Sequence, residues 1–483
     1  MTNSPPPSFS LVKVNAETAG VLTDWEKGLP ISAIAKRHGG GTTDVESLLK
    51  TLDRLIQAQA QKHASVLNSS VLPKSASLVP RKLGKLVLNV SNTCELRCRY
   101  CYAQHGNYGK HASLMKGNLA CIALERVAES FGGIEVIQFF GGEPTLNLST
   151  IELACKHLLT MYQGKKISTM PLLGIVTNGF GWDDTFIEMV GKYNLNVTVS
   201  LDGPDKVNDL LRVTSQGKGT LRQIATNIRR LQERSAGRQP RQIELTYTKQ
   251  HQSLGLSFTD LYSFFANEFG LDDVLIAPVS LSGDHVAYEE LAFQGGSWPS
   301  PVAEVSPDIV SSWVSEHQRQ LNLIYRYLEQ LALQRPAPYL CTAGLTNLTI
   351  DAGGDIYPCF VLTRDDLKMG NIQDPNVFTS KQFLKVTELF TLHAKSNLPD
   401  CPQCWARGFC HICFGVNCDA TYSPWTTPAY LCDEMKRSTE RVLMEIGMIR
   451  GNREHWLRLL MNINRYNSLS NCSFAENTSV LQE

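Results

Sequence analysis

The sequence carries no net charge: 46 acidic residues balance 46 basic ones over 483 positions. Such a chain has no global field to draw it to nucleic acid or to an anionic membrane. Long apolar runs are missing too. Nothing approaches the ~20 consecutive apolar residues that cross a bilayer, and the opening "MTNSPPPSFS" lacks the apolar core of a secretory signal. A cytoplasmic protein with no nucleic-acid or membrane partner is expected. No internal repeat is visible beyond an alternation of β and α patterns.

Cysteine, by contrast, is plentiful, with 14 residues. In a reducing compartment, clustered thiols are metal ligands or redox groups rather than a disulfide framework. Cys121, Cys155 and Cys472 stand alone; the first two fall in helical apolar patterns, where a buried inert thiol is the simpler reading. The others gather in clusters or beside glycine-rich turns, most densely in "CELRCRYC" (94–101) and "CPQCWARGFCHICFGVNC" (401–418).

The length implies several domains. Residues 1–62 read as a small α+β unit, a strand at "FSLVKVN" followed by two or three short helices, and 63–84 as a Ser/Pro linker. Over 85–282, the strand candidates "KLVLNVS", "EVIQFFGG", "LLGIVTNG", "NVTVSLDG", "RQIELTYT" and "DVLIAPVS" alternate with helical patterns. Six such units predict an α/β fold, its parallel sheet buried on both faces. Ligands of such folds bind at the carboxyl ends of the strands. Residues 283–334 read as a connecting loop and helix, 335–432 as a turn-rich, cysteine-rich segment, and 433–483 as a helical tail.

In "SNTCELRCRYC", Cys94, Cys98 and Cys101 follow a predicted strand at C-x3-C-x2-C spacing. Three thiolates on one tight loop suit three irons of a [4Fe–4S] cluster and leave the fourth iron open, the mark of a reactive metal. The alternative is zinc, which needs a fourth ligand, and His105 is near enough in sequence to serve. Downstream, Cys341, Cys359, Cys401, Cys404, Cys410, Cys413, Cys418 and Cys432 are enough for two four-cysteine sites. Their C-x2-C pairing alone leaves zinc ribbons and iron–sulfur clusters equally open.

Taken together these motifs resemble the radical S-adenosylmethionine (SAM) enzymes. The triad has the family's aromatic residue, Tyr100, before its third cysteine, and "FFGGEP" (Gly141, Gly142, Glu143, Pro144) matches the motif that meets the methionine amino group. "TNG" (Thr177, Asn178) and "SLDG" (Ser200, Asp202) match strand ends that approach methionine and ribose, and Arg212 falls where relatives place an arginine near the SAM carboxylate. Asn208 departs from the histidine common in relatives. The resemblance implies a partial (β/α)6 barrel, SAM chelated by the open iron, and reductive cleavage to a 5′-deoxyadenosyl radical that abstracts a substrate hydrogen, with flavodoxin or ferredoxin as electron donor.

The downstream segment resembles the SPASM extension, which brings two auxiliary [4Fe–4S] clusters, three in all. Carried over residue by residue, Cys401, Cys404, Cys410 and Cys432 bind the outer cluster, and Cys341 and Cys359 the inner one. The remaining inner ligands fall to Cys413 and Cys418, three and eight residues after Cys410 rather than the family's four. If only one of the two ligates, the inner cluster keeps an open iron. The auxiliary clusters serve either as scaffold or as electron relay.

SPASM proteins mostly modify peptides or proteins, and residues 1–62 look similar to a winged-helix-like domain that binds leader peptides. The expected function is maturation of a ribosomally made precursor peptide by crosslinking, excision or a similar change. A sulfatase-type maturase making formylglycine is the alternative. It requires a proton acceptor, for which Asp273 and the "TYTK" segment are candidates. A non-enzymatic metal-binding interaction module is the third reading.

Overall fold

The computed structural model describes residues 16–52, 54, 82–271, 273–279, 290–293, 327–328, 338–413, 429–457 and 459–461. The expected strand at 9–15, the linker before 82, nearly all of 283–334, Cys418, Cys472 and the tail past 461 lie outside them.

Nine strands form one sheet in the order β6-β5-β4-β3-β2-β1-β7-β8-β9. They are β1 (Leu83–Ser91), β2 (Ile134–Gly141), β3 (Leu172–Thr177), β4 (Asn196–Ser200), β5 (Gln242–Tyr247), β6 (Val274–Pro278), β7 (Asn347–Ile350), β8 (Asp355–Tyr357) and β9 (Gly370–Asn371). The first six are mutually parallel and each neighbours its sequence successor, with helices in the connections. This is the expected α/β succession of βα units.

The helices start where their sequences say they should. Asp183 accepts from the Phe186 amide to cap Asp184–Tyr193, and Ser257 and Asp260 close a reciprocal capping box on Phe258–Phe269. One strand face packs on these helices: Tyr247 stacks against Phe258 with ring centroids 4.6 Å apart. The other face differs from expectation. Among the described residues, every second residue in β3, β4 and β5 is only half-buried, so the inner face is less covered than the helix-facing one. Period-two geometry places Ser200 of β4 and Glu244 of β5 on that face, opposite the buried Val199 and Ile243.

A second difference concerns the cysteine-rich segment. Its strand β7 pairs in parallel with β1, Lys85 opposite Asn347 and Leu88 opposite Ile350, and β8 and β9 follow antiparallel. The hairpin thus extends the barrel sheet. Near the chain start, α1 (Ala16–Glu26) and α2 (Ile31–His38) share a small core of Val21, Ile34, Ala35 and Val45, separate from the main one. Asp24 joins them by accepting from Arg37 (3.0 Å) and His38 (2.9 Å).

Candidate active site

The loop after β1 carries the triad and is pinned from both sides. The Arg97 amide donates to Val213 O at 2.7 Å and the Arg99 amide to Leu211 O at 2.9 Å. The Arg97 guanidinium donates to the carbonyls of Cys94 and Leu96, both at 2.7 Å. Cys94 Sγ receives the Leu96 amide at 3.4 Å and the Asn178 side-chain amide at 3.7 Å.

Backbone meets backbone here. A Cβ on Gly106 (φ +92°) would lie 2.6 Å from Gly142 Cα and 2.9 Å from Cys94 Cβ, and one on Gly142 would lie 2.2 Å from Thr93 O. Only glycine permits this approach, which draws the "GGEP" turn against the triad loop.

The predicted acidic residue lies at the turn after β2, beside the triad loop. Glu143 is 0% exposed. Its Oε1 accepts from the Thr145 amide and from the hydroxyls of Thr145 and Thr177, and its Oε2 from the Asn178 amide, all at 2.7–3.0 Å. With both oxygens engaged, the carboxylate clasps the ends of β2 and β3. Burial, and then the nearby Glu95, push it above the ordinary carboxylate range. Pro144 is buried behind it.

Tyr100, Asp202 and Arg212 form a second clasp. Tyr100 donates to Asp202 Oδ2 and accepts from Arg212 Nη1, both at 2.6 Å. Asp202 Oδ1 accepts from the Thr246 amide at 3.2 Å, and the Asp202 carbonyl lies 2.8 Å from His251 Nε2. Asn208, the departure from the family pattern, is 0% exposed. It accepts from the Asp202 amide and donates to Asp209 and Thr220, fixing the turn after β4.

Sequence reading missed several polar residues at this end of the barrel. Buried atoms of Asn89, Asn92, Glu95 and Arg212 (Nε) have no hydrogen-bond partner, an unusual density of unmet polarity. Glu95 also receives Asn178 Nδ2 at 3.1 Å. Lys110, from the loop after the triad, donates to Asp351 Oδ2 (2.7 Å) and Tyr357 OH (2.6 Å) on the β7–β8 hairpin. Long-range pairs of this kind leave no local sequence signal.

The downstream cysteines sort into two neighbourhoods. Burial pushes the Cys410 thiol up to about 12; Lys395 counters this, while Cys401, Cys432 and Cys404 reinforce it. Burial likewise raises Cys359 to about 12, reinforced by Cys413 and Cys341 and opposed by Lys85. The electrostatic neighbours of Cys410 are thus Cys401, Cys404 and Cys432, and those of Cys359 are Cys413 and Cys341.

Burial raises two of the triad thiols in the same way: Cys94 is pushed up, and Cys98 is pushed to about 11, with Arg212 opposing and Cys101 adding. A donor set made wholly of cysteine sulfur suits an iron–sulfur group. The glycine-lined loop and the unpartnered polar atoms of Asn89, Asn92 and Arg212 fit a polar ligand beside it. Cys94, Cys98 and Cys101 would hold the cluster, and Arg212, Asn92 and the "GGEP" backbone would border SAM. When bound, that pair supplies radical chemistry; the chain's part is to fix the loop and shield the site from water.

Comparison with known proteins agrees. Residues 88–237 match the family model of the Radical SAM superfamily, and residues 341–405 match SPASM, an iron–sulfur cluster-binding domain. The chain thus carries a radical SAM domain followed by a SPASM domain. The cysteine-type anaerobic sulfatase-maturating enzyme of Clostridium novyi (strain NT) is 21% identical over 76% of this chain and 97% of its own length. The radical SAM cyclopropyl synthase TigE of Paramaledivibacter caminithermalis is 31% identical, over 30% of this chain and 32% of its own. Native anSMEcpe with bound AdoMet shares the fold, with a TM-score of 0.61 at 18% identity, covering 77% of this chain and 100% of that one. Among the described residues no helix is long and apolar enough to cross a membrane.

Proposed function

We propose that the chain is a maturase that abstracts a hydrogen atom from a residue of a ribosomally made precursor peptide, opening the way to a crosslink, an excision or a similar change. Supporting this reading is a set of charged side chains between the triad and the inner cysteines. Lys85 of β1 is electrostatically coupled to Cys359 of the inner cysteine set and to Glu244 of β5. Glu244 is coupled in turn to Arg212, which is bound to Tyr100 beside the triad. A side chain entering the barrel would meet the SAM site on one side and an electron-accepting inner cluster on the other, with a carboxylate between them. Cys94, Cys98 and Cys101 hold the catalytic cluster in this reading, and the downstream cysteines hold two more, supplied with electrons by a flavodoxin or ferredoxin. The separate core beneath α1 and α2 supports a small unit able to hold a leader peptide.

Formylglycine formation on a sulfatase remains the second reading, favoured by the match to the sulfatase-maturating enzyme over 97% of that protein's length. The test is to incubate reconstituted protein with SAM, a reductant and either a short peptide encoded beside this gene or a cysteine-containing sulfatase peptide. Mass spectrometry then reads the outcome. Change confined to the sulfatase peptide would overturn the first reading in favour of the second.

A further inference from the structure

Lys395 has no place in the reading so far. It is 4% exposed, and its backbone is held by a 2.8 Å hydrogen bond from its amide to Pro338 O and by the neighbouring Tyr339–Ala394 bridge. Its ammonium donates to the carbonyls of Arg407 (2.5 Å) and Cys410 (2.8 Å). Carbonyls satisfy N–H groups without neutralising the charge, and a buried cation is costly unless an anion answers it. Among the described residues no Asp or Glu forms an ion pair with Lys395. Its charged neighbours are Cys410, Cys401 and Cys404, together with the repelling Arg407. The inner set is arranged differently, because there Lys85 faces Glu244 as well as Cys359.

We propose that Lys395 is the counter-charge of the outer site, Cys401, Cys404, Cys410 and Cys432, and that its ammonium raises the reduction potential of the cluster held there above that of the inner one. Four thiolates around a [4Fe–4S] core leave a net negative site that gains one more negative charge on reduction, and a fixed cation favours that gain. A [4Fe–4S] group held there would then be the easier of the two to reduce, and would suit an electron leaving the inner site. Lys395 acts through the cluster and is a positioning residue.

The inference rests on reading those four cysteines as cluster ligands, and the test separates the two. Full-length protein carrying Cys94→Ala, Cys98→Ala and Cys101→Ala is reconstituted anaerobically and titrated potentiometrically by EPR, which reads the two auxiliary clusters without the catalytic one. In this background Lys395→Met shifts one midpoint to more negative potential and leaves the other in place. Lys395→Gln, which keeps N–H donors without the charge, gives the same shift, and Lys395→Arg stays near the parent. An iron-replete Met or Gln variant with unmoved midpoints overturns the proposal. Should Met and Gln lose iron, retention by Arg supports a need for charge and loss by Arg overturns it. If Cys401→Ala and Cys404→Ala leave the iron content unchanged, the cluster assignment fails, independently of Lys395.

Discussion

Tyr100 and Asp202, 102 residues apart, share a 2.6 Å hydrogen bond in which the phenol donates to the carboxylate. The same phenol accepts from Arg212, so one oxygen joins the triad loop to the strand end and helix exit beyond β4. Replacing it by Tyr100→Phe leaves a buried carboxylate and a buried guanidinium each short of a partner. The expected cost is about 2 kcal/mol, from the range for hydrogen bonds to charged groups, with weaker SAM binding. Denaturant unfolding and equilibrium dialysis with SAM measure the two effects.

The contact of Gly106 with Gly142 and Cys94 predicts a selective lesion. Gly106→Ala places a methyl where both left-handed backbone and close contacts forbid it, displacing Cys94. The variant should lose about four irons per chain, those of one [4Fe–4S] cluster, while keeping the rest. Iron and sulfide assay of anaerobically reconstituted protein decides.

Cys413 sits beside Cys359, whereas Cys418 lies outside the described residues. Cys413→Ala should remove about four irons if it anchors the inner cluster, without disturbing the triad or SAM cleavage to deoxyadenosine. Unchanged iron in that variant would leave Cys418 as the candidate ligand.

The Lys110–Asp351 pair ties the triad loop to the β7–β8 hairpin, and Lys110 is 28% exposed against 7% for Asp351. A double-mutant cycle with Lys110→Met and Asp351→Asn should show a coupling of about 1 kcal/mol or more, within the range for contacting charged residues. A coupling near zero would mean that the hairpin's pairing with β1 holds the two regions together unaided.

Asp24 gives a pH dependence to the N-terminal helices. Hydrogen bonding by His38 is the main cause holding its carboxyl below the usual 3.8, with Arg37 adding charge. A depressed folded value means that this stabilisation is present above the unfolded pKa and lost as pH falls through the folded one. The α1–α2 pair should therefore loosen below about pH 4, and Asp24→Asn should remove that acid transition. Amide exchange in residues 16–52 across that range follows it.

The sequence by itself determined the βα succession and the cysteine motifs, while the division of the downstream cysteines into two sets rested on the resemblance. Strand ends, glycine turns and cysteine spacing are local properties, and the chemistry demands particular residue types at fixed separations. The roles of Glu143 and Asn208 were beyond it. Spacing placed both at strand ends, but only the fold shows that they also bond Thr177, Asn178 and Asp202, joining separate segments of the chain. The merging of β7 onto β1, the less covered inner face of the barrel and the burial of Lys395 among thiols were likewise decided by tertiary structure. Each depends on which surfaces meet when distant elements pack, and the energy of such meetings is written in no single stretch of sequence.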